Sequence, residues 1–274
     1  MVDNIVYKFF ADYIYKHTGI VYAENEYYRL DRRLQHLYEA FGLSNIDQLY
    51  QLYNSNDHGG MVSKDMHEKL LEIATNNETY FFRDATHFDI LTKVIIPEIQ
   101  KERSGKGPHI WSAGCSTGQE PYSLLMTILD LFQDLKFAID ATDISAPALI
   151  KAKKGNYDNL EIQRGMPTKT LLKYFKQQED DTWTIKSLYS PYINFSHLNL
   201  LSDSFPSSEY NVIFCRNVLI YQNQINKKNI VQKFYNALKP RGYFIMGSGE
   251  SLNGLDIPLT RKFIEGGMVF QKEK

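Results

Sequence analysis

The chain has 274 residues, 43% hydrophobic and 23% charged, with a mean hydropathy of −0.39. That is ordinary for a globular protein of roughly two domains at about 150 residues each, and it excludes a disordered, collagenous or membrane-spanning chain. Lys and Arg total 31 against 32 Asp and Glu, a net charge of −1, so the overall basic surplus of a dedicated nucleic-acid-binding domain is absent.

The first part of the chain reads as helices, whereas all 9 prolines fall from Pro97 onward, and this asymmetry predicts a boundary near residue 75. Leu30, Leu34, Leu37 and Phe41 recur at helical spacing and predict one buried face of a helix over 26–41. Arg29, Arg32, Arg33 and His36 show the same spacing on a neighbouring face. That stripe reads either as a solvated helix face, aided by Glu26 and Asp31, or as a basic surface for an acidic partner. Ser44 followed by Asp47 resembles a capping box opening another helix, and 64–74 predicts a third.

The second part alternates. Strands are expected at IWSAG (110–114), FAIDATD (137–143), NVIFCRN (211–217) and GYFIMGS (242–248), with helices at EPYSLLMTILDLF, ISAPALIKAKK and about 223–238 between them. Strand, helix, strand, helix predicts a doubly wound parallel sheet covered on both faces. The interval 155–195 breaks this rhythm: a helix-like TKTLLKYF is followed by TWTIKSLY and YINF, read together as a small β insertion. The tail RKFIEGGMVFQK predicts a hairpin about Gly266 and Gly267. The two cysteines, Cys115 and Cys215, make neither a disulfide framework nor a four-ligand zinc site, so no metal is expected. A start without a basic n-region, and apolar runs far below the ~20 residues of a bilayer span, predict a cytoplasmic protein without membrane insertion.

In such a sheet the ligand lies across the carboxyl ends of the strands. Gly114 and Gly118 bracket the first turn, either as turn glycines or as points of close backbone approach to a ligand. Glu120 suits a ligand ammonium or the first turn of a helix, and Asp143 suits ribose hydroxyls or a helix cap. Asn199 and Asn217 each follow an apolar run, where an amide can bond an adenine edge or an amino-acid head group, or merely satisfy turn backbone. Together the four strand ends favour a nucleoside-containing ligand.

NETYFFR (77–83), WSAGCSTGQEPYS (111–123), ATDIS (141–145), FSHLNL (195–200) and FCRNVLIY (214–221) occur in the order and approximate spacing of one family. The chain resembles the chemotaxis receptor glutamate O-methyltransferases of the CheR type, from about residue 20 to the C-terminus. The resemblance implies an α/β fold: a Rossmann-like S-adenosylmethionine-dependent methyltransferase domain (76–274) with a small β subdomain at about 155–195, preceded by an all-helical N-terminal domain (1–75). It implies methyl transfer from S-adenosylmethionine to the γ-carboxylate of receptor glutamates, leaving a glutamate methyl ester and S-adenosylhomocysteine. By motif, Asn77, Thr79, Arg83, Gly114, Glu120, Asp143, Asn199, Leu200, Asn217 and Val218 are the implied cofactor contacts. Arg83 and Tyr221 are implied beside the transferred methyl; taken alone, Arg83 reads as a salt bridge and Tyr221 as packing. Arg29, Arg32, Arg33 and His36 are the implied contacts to chemoreceptor cytoplasmic helices. Gln119 stands where many relatives have Glu, Cys115 where a small residue is common, and the short acidic turn QQEDD disfavours docking of a receptor peptide on the β subdomain.

A glutamate is already an anion at pH 7, its ordinary pKa being about 4.3, so this transfer needs placement rather than a strong base. Arg83 is accordingly read as a positioner, because a tight grip on the carboxylate would favour the ground state over a transition state that is losing that charge. Two alternative functions stand beside this one. A nucleic-acid methyltransferase is opposed by the near-neutral charge and by RNVLIY where an Asn/Asp-Pro-Pro-aromatic motif would stand; a catalytically silent cofactor-binding scaffold is opposed by Arg83 and Tyr221. A monomer is expected.

Overall fold

The computed structural model describes residues 4–56, 63–101 and 107–273. Four helices come first: α1 (Asn4–Thr18), α2 (Tyr27–Ala40), α3 (Ile46–Asn56) and α4 (Lys64–Ala74). Leu30, Leu34 and Leu37 of α2 are fully buried in one apolar cluster with Phe10 and Ile14 of α1 and Leu70 of α4. Each such leucine stabilises the fold by about 1.5–3 kcal/mol. Phe41, expected on the same stripe, is 36% exposed; it follows the last helical residue at φ −98° and ψ 10°, so it leaves the helical face.

The cap of α3 is likewise one residue from its expected place. Asn45, not Ser44, accepts the Gln48 N–H at 3.0 Å, and the Gln48 side chain accepts the Ser44 N–H at 2.8 Å. Asn45 thus caps the helix, while the return bond from Gln48 reaches the residue before it, so the box is not closed on one pair. Helix α4 opens on Ser63, whose hydroxyl accepts the Met66 N–H at 3.2 Å.

Residues 86–101, where no element was expected, run helically as α5 (Thr86–Ile90), a π turn (Leu91–Ile95) and α6 (Ile96–Lys101). The alternation follows: β1 (His109–Ala113), α7 (Gln119–Leu131), β2 (Ala138–Asp143), α8 (Ala146–Lys154), β3 (Asn156–Tyr157), α9 (Asn159–Gln163), α10 (Thr168–Tyr174), β4 (Phe175–Gln177), β5 (Trp183–Ile185), β6 (Ile193–His197), β7 (Tyr210–Cys215), α11 (Gln224–Ala237), β8 (Leu238–Met246), β9 (Leu259–Ile264) and β10 (Gly267–Lys272). The main sheet has the order β6-β2-β1-β7-β8-β10-β9, parallel from β6 to β8, with β10 antiparallel to both its neighbours. The expected C-terminal hairpin extends this sheet and turns at Glu265 and Gly266, at φ 49° and 80°, as a two-residue turn requires.

A separate antiparallel sheet, β3-β5-β4, occupies 156–185, so the insertion expected over about 155–195 ends earlier. YINF does not belong to it: β6 pairs in parallel with β2, Ile193 opposite Ile139, as the edge of the main sheet. Among its residues only Ile193 is buried, so it lacks the continuous apolar run of an interior parallel strand.

Successive residues of β1 face opposite layers. Ile110 joins α7's Leu124, Leu125 and Ile128 on one face; Trp111 joins α11's Ile230, Val231 and Phe234 on the other. Among the described residues no helix is long and apolar enough to cross a membrane.

At the amino ends of the strands His109 bridges two carboxylates, Nε2 to Asp140 at 3.0 Å and Nδ1 to Glu209 at 3.1 Å. The hydrogen bond to Asp140 raises the His109 pKa above 6.5, burial opposing it in part. Burial resists ionisation of Asp140, but hydrogen bonds from His109, Tyr210 and Asn194 outweigh it and hold the carboxyl below 3.8. A group with a raised folded pKa stabilises fully below its unfolded value and loses that contribution as pH rises through the folded one. The stability difference between wild type and His109→Ala is therefore expected to be largest between about pH 4 and 6.5, to shrink toward pH 9, and to shrink again as acid protonates Asp140. Urea titrations across this range check it; a difference that stays constant from pH 5 to 9 would contradict the charged bridge.

Candidate active site

The sheet order places β2 on one side of β1 and β7 on the other, so a crevice opens beyond the carboxyl ends of these strands. It holds a cleft of about 1000 Å³ including its open mouth. Asn77, Thr79, Arg83, Gly114, Glu120, Asp143, Asn199, Leu200, Asn217, Val218 and Tyr221 all line it.

The turn after β1 separates the two glycines. Gly114 lines the cleft at φ 80°, and a Cβ there would meet Val218 Cγ2 at 2.5 Å; the site needs its bare backbone. Gly118, at φ 95°, is hemmed in by Ala152 and Tyr157, where a Cβ would meet heavy atoms at 2.9 and 3.0 Å. It is the turn-and-packing glycine of the pair.

Two carboxylates stand on the cleft wall. Asp143, 8% exposed, accepts the Ser116 N–H at 2.7 Å and the Ser145 N–H at 2.8 Å. Burial raises its pKa, and these backbone donors offset only part of that. Each oxygen keeps lone-pair capacity for a further donor. Glu120, in the first turn of α7, accepts the Ser112 hydroxyl at 2.7 Å and Arg216 Nη1 at 3.1 Å.

The asparagines also part company. Asn199 is spent on structure: Nδ2 donates to the His17 carbonyl at 2.7 Å and Oδ1 accepts the Leu201 N–H at 2.9 Å. It ties the end of α1 to the sheet, and Leu200 beside it supplies apolar wall. Asn217, at φ 59°, has its N–H bound to Glu250 at 2.7 Å. Its Oδ1 is buried without a hydrogen-bond partner among the described residues, an unsatisfied acceptor on a residue of the cleft lining.

Arg83 makes no ion pair among the described residues; Nη1 donates to the Glu78 carbonyl at 3.1 Å, and the guanidinium lies 5.5 Å from the Tyr80 ring centroid. The salt-bridge reading therefore fails for Arg83. Its flanking residues, Phe82 and Asp84, are left-handed at φ 54° and 53°, a strain of about 1–3 kcal/mol each. Ser123 Oγ accepts the Phe82 N–H at 2.9 Å and Arg216 Nη2 donates to Asp84 at 2.8 Å, which holds that backbone. Tyr221 ends a short 3₁₀ turn, half-buried, with its hydroxyl accepting the Asn76 amide at 2.7 Å.

Family models match in two stretches: "CheR methyltransferase, all-alpha domain" over residues 5–71, and "CheR methyltransferase, SAM binding domain" over 77–265. The chain belongs to the CheR methyltransferase family. It is 34% identical to chemotaxis protein methyltransferase Cher2 of Pseudomonas putida over 98% of both chains. It is 36% identical to chemotaxis protein methyltransferase 1 of Pseudomonas aeruginosa over 92% of both, and 33% identical to the Escherichia coli chemotaxis protein methyltransferase over 90% of this chain and 84% of that one.

This CheR methyltransferase has a cleft whose residues fit S-adenosylmethionine. Asp143 presents a carboxylate at the second strand end, Gly114 brings bare backbone to the cleft lining, and Asn217 carries a buried Oδ1 without a hydrogen-bond partner among the described residues. Among the described residues no group of three or more His, Cys, Asp or Glu is placed to hold a metal.

Sequence reasoning passed over two charged residues of this CheR methyltransferase. Arg216, whose side chain is 3% exposed, joins Glu120, Asp84 and the Arg83 carbonyl. A cation directly after an apolar strand was its only signal in the sequence. Glu250, 4% exposed, accepts the N–H groups of Asn217, Gly247 and Ile220 at 2.7, 2.9 and 3.1 Å, and so shapes the 216–221 loop. Thr18 and Ile20, at the end of α1, also line the cleft.

The basic stripe of α2 is not uniform. Arg32 and His36 are exposed. Arg29 pairs with Glu26 at 2.7 Å. Arg33 is taken up internally, its Nη1 donating to Tyr22 and to the carbonyls of Ile73 and Ala74, so it caps α4 instead of presenting a free cation.

Proposed function

We propose that this methyltransferase transfers a methyl group from S-adenosylmethionine to the γ-carboxylate of glutamates on chemoreceptor cytoplasmic helices, working as a cytoplasmic monomer. The observation that carries the reading is the convergence on one cleft of two carboxylates, Asp143 and Glu120, with Arg83, which makes no ion pair among the described residues, and Tyr221. The division into a receptor-facing helical part (1–75) and a catalytic part (76–274) belongs to the same proposal.

S-adenosylmethionine, when bound, supplies a methyl group on a positively charged sulfonium that an anionic oxygen can attack. Asp143 would accept hydrogen bonds from the ribose hydroxyls, and Glu120 with Asn217 would hold the cationic amino-acid end. Arg83 and Tyr221 orient the incoming carboxylate, and neither removes a proton, since a glutamate with an ordinary pKa of about 4.3 arrives ionised. Orientation of this kind can supply several kcal/mol of the barrier reduction. The exposed Arg32 and His36 suit an acidic helix through long-range attraction, a salt-sensitive effect on association.

Incubation with methyl-labelled S-adenosylmethionine and a chemoreceptor cytoplasmic fragment tests the reading. Label on glutamate, released as methanol by mild base, is the expected result; label confined to added RNA or DNA would reject it.

A further inference from the structure

Asn76 was not among the residues that any motif nominated. Its Nδ2 donates to Tyr221 Oη at 2.7 Å, and both residues line the cofactor cleft and also a second cavity beside it. The pair thus forms part of the partition between the two spaces. Glu26, just before α2, and its ion-pair partner Arg29 on α2 also line the second cavity.

We propose that Asn76 is a positioning residue: it fixes the Tyr221 hydroxyl so that its proton faces an acceptor carboxylate arriving from the second cavity. The proposal rests on the reading of the chain as a carboxyl methyltransferase. A phenol oxygen carries one proton and two lone pairs, and an amide NH₂ is a donor only. With Asn76 occupying a lone pair, the phenolic proton cannot point at the amide and remains available to a carboxylate oxygen.

The backbone on both sides of this contact is pinned. Arg33 donates to the Ile73 carbonyl at 2.8 Å and the Tyr22 hydroxyl to the Ala74 carbonyl at 3.0 Å, just before Asn76; the Ser116 hydroxyl donates to the Asn77 carbonyl at 2.8 Å, just after it. Opposite, the Val21 N–H donates to the Tyr221 carbonyl at 3.1 Å. Asn76 itself is exposed, so the bond satisfies no buried group, and folding gains little from a hydrogen bond that water can replace. The internal use of Arg33 acquires a purpose here, as it anchors the segment that carries the amide.

The test uses the full chain and a chemoreceptor cytoplasmic fragment in its glutamate form. Asn76→Ala is expected to lower kcat/KM for the fragment ~10-fold while S-adenosylhomocysteine affinity, read by calorimetry, stays within about two-fold. Asn76→Asp, of the same size but an acceptor, draws the phenolic proton and repels the substrate. It is expected to lower kcat/KM further, and to weaken fragment binding to the S-adenosylhomocysteine complex at least as much as Tyr221→Phe does. In a Tyr221→Phe background, which has no phenolic proton to direct, Asn76→Ala is expected to add nothing. Wild-type kinetics in Asn76→Ala, equal losses in both backgrounds, or a parallel loss of S-adenosylhomocysteine affinity would overturn the positioning role alone. Failure of the wild-type protein to methylate glutamate in any receptor fragment overturns the carboxyl methyltransferase reading and this proposal with it.

Discussion

Arg216→Met is expected to destabilise the protein by about 3–5 kcal/mol, the range for removing one partner of a buried ion pair. The guanidinium side chain is 3% exposed and bonds to two carboxylates, Asp84 at 30% and Glu120 at 13%. Methionine fills much of the same volume, so the dominant loss is electrostatic: Glu120 keeps only the Ser112 hydroxyl as a described partner, and its charge stays mostly shielded from water. The Arg83 carbonyl also loses its donor at 2.5 Å, which frees a backbone held in left-handed geometry. Arg216→Lys retains charge but not the planar fork, and should fall between. Urea unfolding at an unchanged m-value measures the effect; a loss under about 1 kcal/mol would mean that solvent reaches these carboxylates readily.

The second large effect is on binding. Asp143→Ala is expected to weaken S-adenosylhomocysteine binding by roughly 10²–10⁴-fold, since two hydrogen bonds to a charged group at about 1.5–3 kcal/mol each are lost and each 1.4 kcal/mol is ten-fold. Asp143→Asn separates charge from shape, because its NH₂ must face one of the backbone donors, Ser116 N–H or Ser145 N–H, that now bond the carboxylate. Burial holds the Asp143 pKa above the ordinary aspartate value, so affinity should fail on acidification at a higher pH than a solvated aspartate would give. Calorimetry from pH 7 downward reads both effects, and an unchanged dissociation constant in Asp143→Ala would remove the ribose assignment.

The elements were legible where burial alone dictates pattern. Leu30, Leu34 and Leu37 repeat because one helix face is dry, and β1 and β7 carry the apolar stretches Ile110–Trp111 and Val212–Cys215 because both their faces are covered. Legibility failed where a residue's state depends on partners distant in sequence. Arg216 is buried because Glu120 and Asp84 meet it there, from 96 and 132 positions away. Asn199 and Asn217 look alike as amides at strand ends, yet one is consumed by the His17 carbonyl and the other left open. Arg29, Arg32, Arg33 and His36 share a helical spacing, but only the fold shows Arg33 turned onto the end of α4. Edge position explains YINF, whose strand has one covered face and therefore half the expected apolar signal.

The most direct test of the central claim is a crystal structure of the full chain with S-adenosylhomocysteine. The ribose hydroxyls should lie on the Asp143 carboxylate and the amino-acid end near Glu120 and Asn217, with the sulfur facing the side of the cleft that holds Arg83 and Tyr221. A nucleoside bound elsewhere, or one whose sulfur points away from Arg83 and Tyr221, would contradict the account.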